Sequence, residues 1–438
     1  MPKRDKSVSA PCKKINKGVS ISKKLRLAIE SALQINHPRD KATQLEVQRK
    51  IDFELIKKNI EEHRWNFDPL PSLSIQEKEE FVEVSDLPGE DVQRDLEKLI
   101  DDTFQSWNEK EDFGFTVPSR DSSYTRYVHH LLRMVLTKHD IRRSLSSRSP
   151  KLCLYTLLVI SSIHTRCFDN KVMYVKKRGI YYDNVVRFNC NRKVVYGIID
   201  DICCMLRCTS LSLRVVSDTT GTIIGPFTFV CGDTPHKCSS SAEKIPSCEL
   251  IADTRFNNCK ASFILLVEKN TVFHDLVQAN FHENAKCIMV SGQGYGDRST
   301  KVFLKKLHQE LRIPILAIVD CNPYGLQILF DYKYGSANSA FDSINLAIRD
   351  IKWLGVRPSD LEKYKIDVED NKFRDRAVSM AKGFLKQDFV KMDDNWVSEI
   401  EKMLEIGNSV NIERLHTKGI DFLSMKFLAE KLESKDWI

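Results

Sequence analysis

The 438-residue chain lacks a long apolar run. Its longest, from Leu152 to Ile160, is nine residues and contains Cys153, Tyr155 and Thr156. A membrane span needs about 20, so no membrane role is expected. The first residues are basic with no apolar segment behind them, which argues against a secretory signal. No C-x-x-C pair occurs, and the thirteen cysteines are an odd number. Reduced intracellular thiols are the natural reading. Cys231, His236, Cys238, Cys248 and Cys259 cluster, but six, nine and ten residues separate successive cysteines. Those spacings fit no compact zinc module. There is no internal repeat. Outside the N-terminus there is also no excess of positive charge: the net charge is +7, and residues 1–24, with eight bases and one acid, carry all of it. The overall balance is therefore no evidence for a basic globular body. A basic arm of this kind is a solvated tail, a nuclear-import segment or a nucleic-acid arm.

The length suits two or three domains. Apolar residues at 42% and charged residues at 29% are ordinary for a globular protein, excluding wholesale disorder, collagen and coiled coil. Residues 77–112 hold fourteen acids and four bases, and Pro69, Pro71, Pro88 and Gly89 break the region. Residues 1–120 thus read as a basic arm followed by an acidic, loosely ordered helical region that could bind a partner.

From residue 122 the pattern tightens. Val128, Leu131, Leu132, Val135 and Leu136 share one helical face. Leu152–His164 reads as a second helix and Lys193–Arg207 as a third. Leu211–Val216 alternates as a strand, and Thr222-Ile223-Ile224 follows a Thr-Thr-Gly turn as its return. Three helices then a hairpin is the order of a winged helix, over residues 121–231. Residues 232–257, with Pro235, Pro246 and three serines, read as a polar linker. Over 258–438 the apolar runs Phe263–Val267, Cys287–Val290 and Ile315–Val319 alternate with helical text, which implies a parallel sheet and C-terminal helices. The fold class is α/β multidomain.

Three constellations carry chemistry. Glu268 directly follows the first apolar strand, Asp320 follows the third, and Asn322 is two residues on. In an open parallel sheet ligands bind at the carboxyl ends of strands, and i, i+2 spacing in extended chain points both side chains one way. Three oxygen donors there suit Mg²⁺, although a single such acid is more often a solvated loop residue. The second is Ser291-Gly-Gln-Gly-Tyr-Gly296. A dinucleotide fingerprint would need glycine where Asp297 stands, and no Gly-Lys-Ser/Thr follows to make a P-loop; a tight turn is the plain reading. The third is basic. Seven bases and one acid, Asp183, lie between Lys171 and Lys193, around Arg178-Gly-Ile-Tyr181-Tyr182. Lysine and arginine here, Lys176, Lys177 and Arg187 among them, would hold phosphates. A tyrosine hydroxyl is a possible nucleophile, whereas most tyrosine pairs simply pack in a core.

Taken in order, Lys177-Arg-Gly-Ile-Tyr-Tyr182, Val267-Glu-Lys269, Gly292-Gln-Gly-Tyr-Gly-Asp297, Val319-Asp-Cys-Asn-Pro-Tyr-Gly325, Tyr334-Gly-Ser336 and Ile351-Lys-Trp-Leu-Gly-Val-Arg-Pro-Ser-Asp360 resemble one family over roughly residues 120–438. It is the A subunit of topoisomerase VI with its eukaryotic relatives, the meiotic DNA double-strand-break transesterases. The resemblance implies a winged-helix domain with a catalytic tyrosine followed by a Toprim metal-binding domain. It implies Tyr182 as nucleophile, Arg178 as the adjacent phosphate-binding arginine, and Glu268, Asp320 and Asn322 at the positions of ligands for one or two Mg²⁺ ions. It further implies double-stranded DNA as substrate, a homodimer in which one protomer's tyrosine works with the other's metal, an ATPase-fold B-like partner, meiotic accessory proteins and a nuclear location. The expected reaction leaves a 5′-phosphotyrosyl link and initiates meiotic recombination. The alternatives are the A subunit of a eukaryotic type IIB topoisomerase and a non-catalytic DNA-binding scaffold. Two positions depart from the family. Asn322 stands where aspartate is common, and Gly296 where proline is usual in the glycine-rich loop.

Overall fold

Four apolar runs form the centre of the C-terminal half: Phe263–Val267, Cys287–Ser291, Ile315–Ile318 and Ile351–Gly355. In the computed structural model, which describes residues 51–438 apart from 111, 148–149, 171 and 369–370, these runs pair in parallel. Their order is Cys287–Ser291, Phe263–Val267, Ile315–Ile318, Ile351–Gly355. Almost every side chain in them is buried, which is why they read as continuous apolar runs rather than alternating ones. The helices Asn270–Gln278, Arg298–Leu311 and Pro323–Lys333 connect them. Val267 lies opposite both Ser291 and Ile318. The chain therefore leaves three neighbouring strands at one level, with Glu268, Gly292 and then Asp320 just beyond their ends.

A second apolar core lies in the N-terminal half. It packs the helices Pro150–Ile163 and Arg192–Leu206 with the strand Gly114–Pro118, which pairs antiparallel with Asp140–Ser144. The buried carboxylate of Asp201 accepts from Arg120 Nε at 2.7 Å and Arg143 Nη1 at 2.5 Å. Helix and strand are thereby tied by a paired rather than an orphaned charge.

Several expectations are corrected. Residues 128–136 are not a helix. Thr125–Val128 and Arg133–Thr137 are antiparallel strands joined by a short 3₁₀ turn ending at Leu132, with φ 57°. Leu131 and Val135 fill a small core with Leu73 and Phe81, so tertiary contacts override the helical spacing. The hairpin of a wing does not form between 211 and 224. Within 211–216 only Val215–Val216 is a strand, and it pairs parallel with Val175–Lys176. Thr222–Ile224 runs antiparallel to Met289–Ser291 at the edge of the large sheet. An isolated two-stranded hairpin is marginal, whereas the large sheet buries Ile223 and Ile224 completely.

Residues 232–257, expected as a linker, are built into the fold. Thr234–Lys237 and Arg255–Asn257 flank Thr228–Cys231 in a three-stranded sheet, and Glu243–Lys244 extends the large one. The acidic region is more ordered than its composition suggests. Gly89–Lys110 is a 22-residue helix. Further upstream, the helix Phe53–Glu62 sends Ile56 and Ile60 into the C-terminal core, and Asn59 Nδ2 donates to the carbonyls of Leu432 and Glu433 at 3.1 and 2.7 Å. The basic arm 1–24 and Lys171 lie outside the described residues. Among the described residues no helix is long and apolar enough to cross a membrane.

Candidate active site

The helix Lys177–Asp183 carries both tyrosines, and it separates them. Tyr181 is 7% exposed and belongs to the N-terminal core, whereas Tyr182 is 59% exposed. Their rings lie 5.3 Å apart at 56°. Arg178 stands four residues before Tyr182, so the two share a helix face. Lys176 Nζ reaches Asp218 Oδ1 at 2.6 Å, and Arg178 Nη1 faces Asp218 Oδ2 at 3.8 Å. The bond from Lys176 holds the Asp218 carboxyl below its usual range. Arg187 bonds Asn184 Oδ1 at 3.1 Å. Lys177 differs from the other expected DNA contacts. It is 16% exposed and turned to Asp200 at 3.0 Å, with its ammonium 6.0 Å from the Tyr196 ring centre. The open basic surface is thus Lys176, Arg178 and Arg187, flanked by the exposed apolar side chains of Met173 and Val186.

The acidic constellation forms at the strand ends. The Asp320 backbone N–H donates to Glu268 Oε2 at 2.7 Å, which brings the two residues together. Asp320 is buried; its Oδ1 accepts from the Ile412 N–H at 2.9 Å, and its Oδ2 lies 2.9 Å from Lys269 Nζ. Burial, then the neighbouring Asp320 charge, pushes the Glu268 carboxyl up to about 7. Burial likewise raises Asp320. Asn322 is turned to a different task. It caps the helix Pro323–Lys333, Oδ1 accepting from the Gly325 N–H at 2.9 Å, while Nδ2 donates to Ser409 Oγ at 2.9 Å. Asparagine is among the best residues at that position. A Cβ on Gly325 would sit 2.3 Å from the Asp320 carbonyl oxygen, so the cap closes over Asp320 only with glycine there.

Hard carboxylate oxygens in a like-charged pair, Asp320 buried and Glu268 half-buried, are a chemistry that a divalent cation relieves. Among the described residues no three His, Cys, Asp or Glu groups gather as a cage. Mg²⁺ is ordinarily held by one or two carboxylates, with water and substrate oxygens completing its shell. Glu268 and Asp320 are the residues that fit the ion, and Asn322 offers only the remaining lone pair of its capping oxygen.

The glycine-rich loop is held by hydrogen bonds to the backbone of Glu268 and Thr220. Gly296 has φ +43°, and a Cβ there would lie 2.0 Å from the Tyr332 hydroxyl oxygen. Proline, fixed near −65°, cannot take that conformation, and Tyr332 occupies the space. The Gly294 N–H donates to the Glu268 carbonyl at 2.9 Å. Asp297 caps the next helix and accepts from the Thr220 N–H and hydroxyl at 2.8 and 2.9 Å. Thr220 is two residues from Asp218, so the segment after the basic surface is tied to the loop that also bonds the Glu268 backbone. Sequence reasoning missed Asp218, Ser409 and Glu413, and assigned no role to Lys269. Only Lys269, next to Glu268 in a quoted motif, had a signal to find it.

Comparison with known proteins places these features in one family. The Toprim-domain family of the topoisomerase 6 A subunit and Spo11 matches residues 263–432, and the family described as "Type IIB DNA topoisomerase" matches residues 151–215. The A subunit of DNA topoisomerase 6 from Arabidopsis thaliana is 35% identical over 353 residues, covering 79% of this chain and 81% of the relative. The human meiotic recombination protein SPO11 is 30% identical over 360 residues, covering 80% and 89%. The A subunit of the Type 2 DNA topoisomerase 6 from Aeropyrum pernix is 28% identical over 348 residues, covering 74% and 89%. The two matched segments coincide with the tyrosine-bearing region and the acid-bearing sheet, and the chain belongs to the topoisomerase VI A-subunit/Spo11 family as a type IIB topoisomerase-like DNA transesterase.

Proposed function

We propose that this protein cuts both strands of duplex DNA by transesterification, with Tyr182 as nucleophile. The observation that carries the assignment is the divergent exposure of the pair: Tyr182 is open beside Arg178 and Lys176, and Tyr181 is buried. Tyr182 Oη forms a bond to the scissile phosphorus and loses its proton. The bond from phosphorus to the 3′-oxygen breaks, and that oxygen leaves and gains a proton. The product is a 5′-phosphotyrosyl link. Bond energy is conserved in the exchange, so no nucleotide is consumed at this step. Arg178 holds the phosphate and offsets the charge that builds on its oxygens. Lys176 and Arg187 hold flanking phosphates, with Lys177 supporting the helix from its inner side. Mg²⁺ held by Glu268 and Asp320, with Asn322 behind them, supplies further charge stabilisation when bound. The remaining task of these residues is to present carboxylates at a fixed level of the sheet.

One tyrosine cuts one strand, so a double-strand break needs two protomers on a two-fold axis. Contacts to phosphate rather than base edges make sequence preference weak. A B-like partner and a nuclear location follow from the same reading. The role expected from the sequence is initiation of meiotic recombination, with accessory proteins. A second reading is the A subunit of a type IIB topoisomerase: the plant topoisomerase 6 subunits are 35% and 34% identical over about four fifths of the chain, against 30% for human SPO11 over a similar span and 34% and 35% for plant SPO11-1 proteins over 59% of it.

Covalent trapping tests the chemistry. The protein with its partners is denatured on DNA, the bound DNA digested, and the modified residue mapped by mass spectrometry. Nucleotide on Tyr182, lost in Tyr182→Phe and kept in Tyr181→Phe, is the expected result. Nucleotide on Tyr181, or no adduct from a preparation that binds DNA, overturns it. ATP-dependent relaxation of supercoils with a B-type partner separates the topoisomerase role from break formation alone.

A further inference from the structure

The acidic pair already has a cation beside it. Lys269 Nζ lies 2.9 Å from Asp320 Oδ2 and 2.7 Å from Glu413 Oε2, so one ammonium bridges two carboxylates. Glu413 is held independently, since its Oε1 accepts from the Thr271 hydroxyl at 3.0 Å. The segment that carries Glu413 is clamped along Asp320–Asn322 by three attachments. The Cys321 N–H donates to the Val410 carbonyl at 2.9 Å, the Ile412 N–H to Asp320 Oδ1 at 2.9 Å, and Asn322 Nδ2 to Ser409 Oγ at 2.9 Å. Glu413 therefore cannot follow the ammonium, but the ammonium, on its four-carbon stem and 26% exposed, can move.

We propose that Lys269 is the resident counter-ion of the acidic pair and that Glu413 is a positioning residue which draws it aside when a divalent cation loads. The inference rests on the reading of Glu268 and Asp320 as the metal-binding residues. An ammonium and a divalent ion on one carboxylate oxygen repel strongly in a half-buried site. Loading thus breaks the Lys269–Asp320 contact while the Lys269–Glu413 contact stays. The charges suit the exchange: Glu268, Asp320 and Glu413 when ionised sum to −3, Lys269 contributes +1, and a divalent ion brings the group to zero. Without metal the lysine keeps the carboxylates from repelling one another; with metal it is parked, not expelled. A lysine serving only to tie the C-terminal segment to the sheet would have no such effect on metal affinity.

The test is Mn²⁺ binding to the full chain without DNA, read by electron paramagnetic resonance and calorimetry. Lys269→Met is expected to tighten Mn²⁺ binding roughly tenfold, because Asp320 is freed. Glu413→Gln is expected to weaken it several-fold, because the ammonium then stays on Asp320. Thr271→Val, which loosens Glu413 without changing charge, should weaken it in the same direction and less. Lys269→Arg, which keeps charge and reach, should bind Mn²⁺ like the parent. The loss caused by Glu413→Gln must shrink in a Lys269→Met background, as coupled residues require. Weaker or unchanged binding in Lys269→Met overturns the inference, as does an equal effect of Glu413→Gln in both backgrounds. Should Lys269→Met fail to fold, Glu413→Gln and Thr271→Val carry the test, and parent-like binding by both overturns it. Glu268→Gln and Asp320→Asn are the controls. If they retain Mn²⁺ binding, the reading of the metal site fails; if they lose it while Lys269→Met does not tighten it, only the present inference fails.

Discussion

The tyrosine-bearing helix and the acidic pair both carry reactive side chains already matched to opposite charges within the monomer, but in different surroundings. Lys176 and Arg178 share Asp218 at the surface, where water and salt screen the pairs and each is worth about 0–1 kcal/mol. Glu268 and Asp320 lie at the end of a buried sheet, where the same charges act through a lower dielectric and the pKa of Glu268 rises to about 7. The contrast separates the tasks of the two regions. The surface pairs can be exchanged for DNA phosphates at little loss and tune binding. The acidic pair is committed to its geometry, and changes there should act on chemistry.

The greatest loss should come from removing one charge on the buried side. Asp320→Asn keeps an oxygen for the Ile412 N–H but takes away the carboxylate next to Glu268. Covalent adduct yield at saturating Mg²⁺ should fall roughly 100-fold or more, while duplex binding by the same variant stays near the parent. Equal losses in binding and adduct would mean that the two regions are not separate in function.

A pH titration makes the same cut without mutation. Glu268 titrates in the folded protein near 7, above its ordinary 4.5. Between those values the folded state binds more protons than the unfolded one, so the metal-free protein loses stability from this group as pH rises through the window. Metal needs the ionised form, so Mn²⁺ affinity should climb by up to about tenfold per pH unit below 7 and flatten above it. Glu268→Gln should leave Mn²⁺ binding lost or very weak at every pH in the window, with no climb. An affinity flat from pH 5.5 to 7.5 would contradict the burial of that carboxyl.

The two regions also differ in how legible they were. The acidic pair could be read because parallel strands, buried on both faces, must be continuous apolar runs, and the residue after such a run lies at the carboxyl edge. Glu268 and Asp320 therefore announced their places. The wing could not be read, because alternation in Leu211–Val216 and Thr222–Ile224 reveals strand character without naming a partner. Each segment found a different neighbour, Val175–Lys176 for one and the large sheet for the other. The apolar spacing of residues 128–136 suited helix and strand alike, and packing on Leu73 and Phe81 decided it. The residue pattern offered two adjacent tyrosines, the resemblance pointed to Tyr182, and the burial of Tyr181 supports the same choice. Glu413 reaches Lys269 from 144 residues downstream and Ser409 reaches Asn322 from 87; nothing local in the chain marks such contacts.

On the surface side the expected effects are smaller. Asp218→Asn frees Lys176 and Arg178 from their shared carboxylate. DNA affinity at low salt should rise about two- to tenfold, and the salt dependence should steepen. Thermal stability should move by less than about 1 kcal/mol, as exposed pairs do. Arg178→Ala should do the opposite, reducing the slope of affinity against salt by about 1. Filter-binding or fluorescence titrations across a salt series measure both. Weaker DNA binding by Asp218→Asn would indicate that Asp218 orients the bases rather than competing for them.

The smallest effect is expected where the sequence departs from the family. Asn322 Oδ1 caps the helix Pro323–Lys333, and Nδ2 donates to Ser409. In Asn322→Asp one carboxylate oxygen can keep the cap, and the Ser409 hydroxyl can turn to donate to the other. Both termini of the hydrogen-bond pattern survive, so stability should change by less than about 0.5 kcal/mol. The added negative charge lies two residues from Asp320 and should tighten Mn²⁺ binding only about two- to fivefold, because the geometry leaves its oxygens pointed at the Gly325 N–H and the Ser409 hydroxyl rather than at the pair. A gain of a hundredfold would mean that the side chain swings away from Gly325 to become a full ligand, and the cap would then be lost, with a measurable fall in Tm. No gain at all would leave Asn322 as a helix cap alone, with metal held by Glu268 and Asp320.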